Sequence, residues 1–502
     1  MPQHGRIDAT HGIDSTDGMK QPHFASPLPK NSVSPLSLWG SWWNVLQLLR
    51  PAFSRSRPFM WFATIVAGLA VRSDLRGVTS IIRALNLRPN LYDRLLQNLH
   101  SSAIKLDQLS ALWAQVALRL FPQSVRVNGR LILVGDGIKI PKRGKKMPAV
   151  KLLHQQSDCC TKPEYIMGHS LQAVCLLVDA ALSVFAVPLA VRIHEGLVWS
   201  NRDKRTLLDK MLLLIETLAI TTPFYFVADA YYAAGKIVHG LLKQGNHLVT
   251  RVRSNAVAYL AAQAINGRRK RGRPKRYGQK IKLRSLLSNI GAMQELASPV
   301  YGERNVTIRY RVCDLLWRPA GRLVRFVAVV HPTRGSWLLM STDLSLSAME
   351  IIRIYGLRFK IEHTFKQAAR QIGSFAYHFW MRHMVPLLHR NGNQYLHRQS
   401  ARYRDQVRRK IHAYHVFMQA AVVAQGLLQY LAVVSPKLVW DSFGSWLRTV
   451  RPGIPPSELV VTNALRQTLP NFLVSCAKSN SLAKFIASRQ DKHRMAIFRL
   501  AS

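Results

Sequence analysis

Apolar residues follow three regimes along the chain. Between residues 36 and 125 they recur at helical spacing, most clearly over 91–121. From Arg130 the pattern shortens to continuous apolar runs. Residues 131–134, 170–178 and 182–193 predict strands, 203–218 a helix, 224–228 a strand, 230–243 a helix and 247–252 a fifth strand. Further strands are predicted at 305–315, 322–331 and 337–341, then one long helix from near Ser347 to about Gln371. Helical and loop patterns return after residue 386, with basic and apolar faces over 403–409 and 412–430. Residues 1–35, rich in His, Ser, Pro and Gly, read as a disordered tail.

The order strand, strand, strand, helix, strand, helix, strand is the ribonuclease H-like order, in which the first and fourth strands lie side by side. The expected fold class is α/β: a ribonuclease H-like mixed sheet core with a mostly β insertion, flanked by N- and C-terminal helical regions. The expected division is a tail (1–35), a helical domain with possible DNA contact (36–129), the first part of the core (130–253), a basic loop and β insertion (254–343), the closing helix of the core (344–385) and a C-terminal helical region (386–502).

Charge narrows the function. Lys plus Arg number 71 against 25 Asp plus Glu, a formal net charge of +46. Such an imbalance favours a polyanionic partner, because each cation near a phosphate releases a counterion. Hydrophobic residues make up 48%, more apolar core than a ribosomal protein carries. The five cysteines are odd in number and irregularly spaced, and no secretory signal opens the chain. This argues for a reducing compartment and against a disulfide framework. His154, Cys159, Cys160 and His169 lack the spacing of a zinc site. No segment reads as membrane-spanning: the apolar stretch 171–193 is interrupted by Asp179 and Pro188.

Two aspartates end apolar runs, Asp136 in LILVGDGIKI and Asp229 in PFYFVADAYY, and Glu362 follows in YGLRFKIEHTFKQ. Two-metal phosphoryl transfer needs carboxylates that hold cations about 3.5–4 Å apart, and magnesium prefers oxygen ligands. Gly135 and Gly137 would leave room for a phosphate backbone beside Asp136. Each acid also has a plain structural reading: Asp229 capping the following helix, Asp136 in a turn, Glu362 paired with Arg358 or Lys366. Tyr355, Arg358, Glu362 and Lys366 share one helical face, and Arg can grip a phosphate with two donors. The loop 266–280 adds Arg268, Arg269, Lys270, Arg271, Arg273, Lys275 and Arg276 as candidate DNA contacts.

These residues resemble a DDE transposase of bacterial insertion sequences, in the branch whose glutamate helix reads Tyr-x2-Arg-x3-Glu-x6-Lys. Tyr355, Arg358 and Glu362 match, whereas the final Lys position falls on Ala369, with Arg370 beside it and Lys366 one turn earlier. DGIKIPKRGKKMP around Asp136 and VADAYYAAGKIV around Asp229 extend the likeness, which covers about 130–385. The resemblance implies Asp136, Asp229 and Glu362 as catalytic metal ligands for two Mg²⁺ or Mn²⁺ ions. It implies Tyr355, Arg358, Lys366 and Arg370 as DNA contacts, and Trp337 stacking on a base near the cut end. The implied reaction is cleavage and strand transfer at the ends of an insertion sequence, cut-and-paste through a hairpin. The implied partner is double-stranded DNA held by a homodimer, and the implied place is the bacterial cytoplasm, at the nucleoid and not at a membrane. The alternatives are a catalytically inactive, domesticated DNA-binding protein and a ribonuclease H-like nuclease.

Overall fold

The computed structural model describes residues 37–491 except 76, 156–162, 181–182, 263–274, 289, 301, 389, 445–448 and 452. The predicted tail therefore lies outside the described residues. Helices α1 (Ser56–Val71) and α2 (Leu106–Leu120) lead into the sheet. α1 is apolar nearly all round, and most of its residues are buried, as a core helix must be.

Strands β1 (Arg130–Pro141), β2 (Tyr165–Ala180) and β3 (Ser183–Ile193) form an antiparallel meander. Helix α3 (Leu207–Thr217) starts at a capping box, in which Thr206 and Asp209 each bond the other's backbone. Strand β4 (Phe224–Ala228) then runs parallel to β1, with Val134 opposite Val227. Helix α4 (Gly235–Lys243) crosses to β5 (His247–Arg251), parallel to β4. The first and fourth strands are adjacent, as the element order requires. Every residue of β4 is buried, the signature of a parallel strand covered on both faces.

Strands β6 (Thr307–Trp317), β7 (Arg322–His331) and β8 (Gly335–Ser341) do not form a separate β unit. β8 pairs antiparallel with β5, β7 with β8 and β6 with β7. The β insertion thus prolongs the central sheet, which becomes large and mixed.

The expected single helix over 347–371 is three pieces. Helix α5 (Ala348–Leu357), capped by Ser347, stops before Arg358; α6 (Lys360–Gln367) carries Glu362; a π-helical turn (Ala368–Ile372) follows. At the first break the bonds tighten to i→i−3, from Arg358 N to Tyr355 O and from Glu362 N to Phe359 O. The chain leaves the π turn at Gly373, φ 68°. Buried Arg72 donates there to the carbonyls of Ile372 and Gly373, closing the orphan acceptors of the helix end.

The two basic and apolar segments expected after residue 386 are one helix, α7 (Ala401–Val434). Among the described residues it alone is long and apolar enough to cross a membrane, and 89% of its apolar window is buried inside the protein. It covers the outer edge of β3. Gln419 and Gln429 donate to the carbonyls of Leu189 and Ala186, while Trp113 of α2 donates to Pro188 O and Thr364 of α6 to Ala186 O. An edge strand's free acceptors are thereby satisfied. Helix α8 (Glu458–Ser475) closes the same core: Leu465 O accepts from the Trp39 indole and Arg466 donates to Val71 O.

Candidate active site

Side chains alternate along β1. A Cβ on Gly135 would fall 2.3 Å from the Phe226 ring and 3.5 Å from the Met211 methyl of α3. Gly135 therefore serves packing against that helical layer and does not open space for a phosphate. Gly137 is exposed, with only Leu171 O near its Cβ position. Asp136 points away from Gly135, toward the face where α5 and α6 lie. It stands within β1, not at the end of that strand; the feature that ends beside it is its parallel partner β4, whose last residue is Ala228. Asp229 follows directly, so the sheet register sets the two aspartates at neighbouring positions.

Arg358 joins the helix to the sheet. Its Nη1 donates to Asp136 Oδ2 at 2.9 Å and its Nη2 to Glu362 Oε1 at 2.8 Å. The Arg358 and Asp136 side chains are each 18% exposed, that of Glu362 58%. Burial alone would lower the Arg358 pKa, but Asp136, Tyr355 and Glu362 more than offset this and leave it raised. The Asp136 carboxyl is pushed up to about 6, first by burial, then by the charges of Asp229 and Glu362, against the pull of Arg358 and a 2.7 Å bond from Gly137 N. Asp229 is also raised by burial and accepts from Tyr231 N at 3.0 Å, so it does cap the turn after β4. Tyr355 is half-buried beside this group, its phenol raised by burial and influenced by Arg358 and Asp229.

The donors suit a hard divalent cation in kind, being carboxylate oxygens, with Asp229 and Glu362 near enough to Asp136 to help raise its pKa. Their arrangement is more specific. Among the described residues no three His, Cys, Asp or Glu side chains are gathered closely enough to hold a metal ion as they stand. The cationic group between Asp136 and Glu362 is the Arg358 fork.

The remaining expected residues are spread more widely. Trp337 is half-buried on β8, opposite Val329 and 5.9 Å from the His331 ring. It lies two residues beyond Leu339, which pairs with Arg251, and so at the same end of the sheet as Asp229. Lys366 and Arg370 are exposed on α6 and the π turn, and Lys275 and Arg276 are exposed before the insertion strands. Arg268, Arg269, Lys270, Arg271 and Arg273 lie outside the described residues, as do Cys159 and Cys160. His169, from the disfavoured zinc group, is buried and bonds Pro148 O through Nε2.

Two features escape sequence reasoning. Gln172 sits opposite Gly137, donates to the buried Tyr232 hydroxyl at 2.9 Å and bonds His194 Nδ1 through its oxygen. Tyr232 feels the charges of both aspartates. Arg72 anchors the end of the glutamate helix from about 300 residues away. Nothing in local spacing signals either.

The profile of a family described as DDE superfamily endonuclease matches residues 48–312, more than half of the chain. The chain belongs to the DDE endonuclease superfamily. The match includes Asp136 and Asp229 and ends before Glu362. Membership in this superfamily implies use of divalent metal in general. No curated protein matches the chain. Among solved structures, the cryo-EM structure of the piggyBac transposase synaptic complex with hairpin DNA is similar at 11% identity and a TM-score of 0.36, over 87% of this chain and 75% of that one. A likeness that loose has no bearing on the site of this DDE endonuclease.

Proposed function

We propose that this chain is a transposase that cleaves DNA at the ends of an insertion sequence and transfers the freed strands, by cut-and-paste through a hairpin. Asp136, Asp229 and Glu362 are the acidic groups we assign to the reaction, with Mg²⁺ or Mn²⁺ as cofactor and double-stranded DNA as substrate, held by a homodimer in the bacterial cytoplasm. The observation that carries this reading is the Arg358 fork, which ties the glutamate helix to the sheet aspartate across 222 residues. The chemistry a divalent cation supplies when bound here is activation of the attacking oxygen and stabilisation of the leaving one. Arg358 fixes the helix at the height of Asp136, and a guanidinium that gives up one carboxylate can grip a DNA phosphate in the same forked geometry. Tyr355 and Trp337 flank the approach at that end of the sheet.

The test uses the full chain with Mg²⁺ and DNA bearing the element's ends, resolving nicks, hairpins and insertions on a gel. Asp136→Asn, Asp229→Asn and Glu362→Gln should each lower cleavage by at least about 100-fold, the upper end of the roughly 10–100-fold loss typical when only the outer partners of a metal ligand are removed. DNA affinity should stay near that of the parent. Near-normal cutting by any variant removes that residue from the site. The bridged state of Asp136 and Glu362 favours one second reading, a DNA-binding protein that has lost cleavage. An intact chain that binds ends and never nicks them would decide for it.

A further inference from the structure

Past the π turn, residues 376–388 cross the basic turn that follows β1 as an irregular strap, with a turn from Met381 to Met384. Met381 N donates to Lys146 O at 3.0 Å and Leu387 N to Lys145 O at 2.7 Å. Buried Lys142 donates to the carbonyls of Phe375 and Tyr377, and Lys146 Nζ to Arg382 O. Met381, Met384 and Leu387 point inward, into a small core of their own with Met147, Val150 and Val407. The inward side is therefore satisfied. The outward side presents Trp380, Val385 and Leu388, which are 56%, 78% and 73% exposed. Trp380 stacks on the His378 ring at 6.2 Å, yet all three side chains keep more than half of their surface open to solvent, and single exposed apolar residues are ordinary while several along one segment are not.

Charge says what covers them. From Glu362 to Asp405 the chain has no acidic residue and seven Lys or Arg between them. From Asp136 to Asp158 it has six Lys or Arg and again no acid between. A groove of about 590 Å³ runs between strap and turn, lined by Arg143, Lys145 and Leu388 among others, with no Asp or Glu. It opens five residues beyond Asp136 along β1, about 17 Å at strand rise. Apolar side chains standing among exposed cations match a partner with an anionic backbone and bases whose flat faces can be parted and stacked upon.

We propose that the strap and the turn form a second DNA-contact surface, where Arg143, Lys145 and Arg382 take phosphates and Trp380, Val385 and Leu388 wedge against bases of the duplex leaving the candidate site at Asp136. This rests on the transposase reading, which it extends from the point of chemistry to the flanking DNA.

The experiment is fluorescence anisotropy of a labelled duplex with the full chain, titrated at several salt concentrations. Arg143→Ala with Lys145→Ala should weaken binding about 10-fold and make the salt slope shallower by about 2, one per lost phosphate contact. Trp380→Ala with Leu388→Ala should weaken binding several-fold at an unchanged slope. All four side chains are outward-facing, and a matching melting temperature confirms that the fold is kept. Unchanged affinity and slope in both variants, with the parent binding normally, overturns the inference and leaves the transposase reading standing. If the apolar pair instead alters the sedimentation of the free protein while DNA binding is unchanged, the surface joins copies of the chain and the inference also fails. A parent that binds no DNA sinks both.

Discussion

Burial outweighs hydrogen-bond partners at one acidic residue outside the candidate site. Glu458, at the start of α8, is held by Gln425 and Gln429, yet burial pushes its pKa from the usual 4.5 to about 7. It lines a cleft of about 370 Å³ behind α6, on the side of Lys360 and His363 and away from the three assigned acids. The unfolded chain gives up this proton near pH 4.5, the folded chain near 7. Its contribution is thus fully present below about 4.5 and lost as pH rises through 7. Glu458→Gln should remove that slope, roughly 1–3 kcal/mol of difference between pH 5 and 8 in denaturant unfolding. A parallel loss in parent and variant would exclude the group. Asp136 and Asp229 are visible in sequence because each ends an apolar run, and Glu362 because it shares helical spacing with Tyr355, Arg358 and Lys366. Arg358 is half-visible: its i,i+4 partner Glu362 is legible, but its other partner, Asp136, is reached only through the fold.

At the scale of elements, periodicity finds all five core strands, bounds the last three within a residue or two, cuts the first two short by five to seven residues at one end, and misjudges continuity. The extension of β1 past Asp136 to Pro141 was not legible, because Gly137 and Lys139 break the apolar run while β2 still pairs with it. The interrupted helix was not legible either, since apolar residues at 354, 357, 361 and 365 keep helical spacing straight through the break. What sets its end is a distant latch. Arg72, whose pKa burial lowers to about 10, spends its donors on Ile372, Gly373, Gly77 and Ser80. Arg72→Met should cost about 2–4 kcal/mol by leaving those buried acceptors unpaired. Gly373→Ala should also destabilise, through its positive φ and a Cβ placed 2.3 Å from the Arg72 guanidinium. Urea unfolding of both variants checks this. If neither shifts the midpoint, the latch is incidental.

The whole molecule is organised by one sheet. Its class was readable from element order, but no sequence signal told whether the β insertion would stand apart or join in, because strand partners are chosen by edges and not by local pattern. It joins through β8 on β5, so β5 is an interior strand. Excising residues 254–341 would expose that strand's amides and carbonyls along an apolar edge, a template for intermolecular pairing. The shortened chain should elute as aggregates in size-exclusion chromatography, whereas a soluble monomer would show that the block is a dispensable module. Continuity has a mechanical corollary. From β6 inward, each strand is laced to the next through β7, β8, β5 and β4 to β1, where Asp136 and, past the end of β4, Asp229 are mounted. A load applied at the far rim of this plate can twist the seat of the two aspartates through the ladder of strands itself.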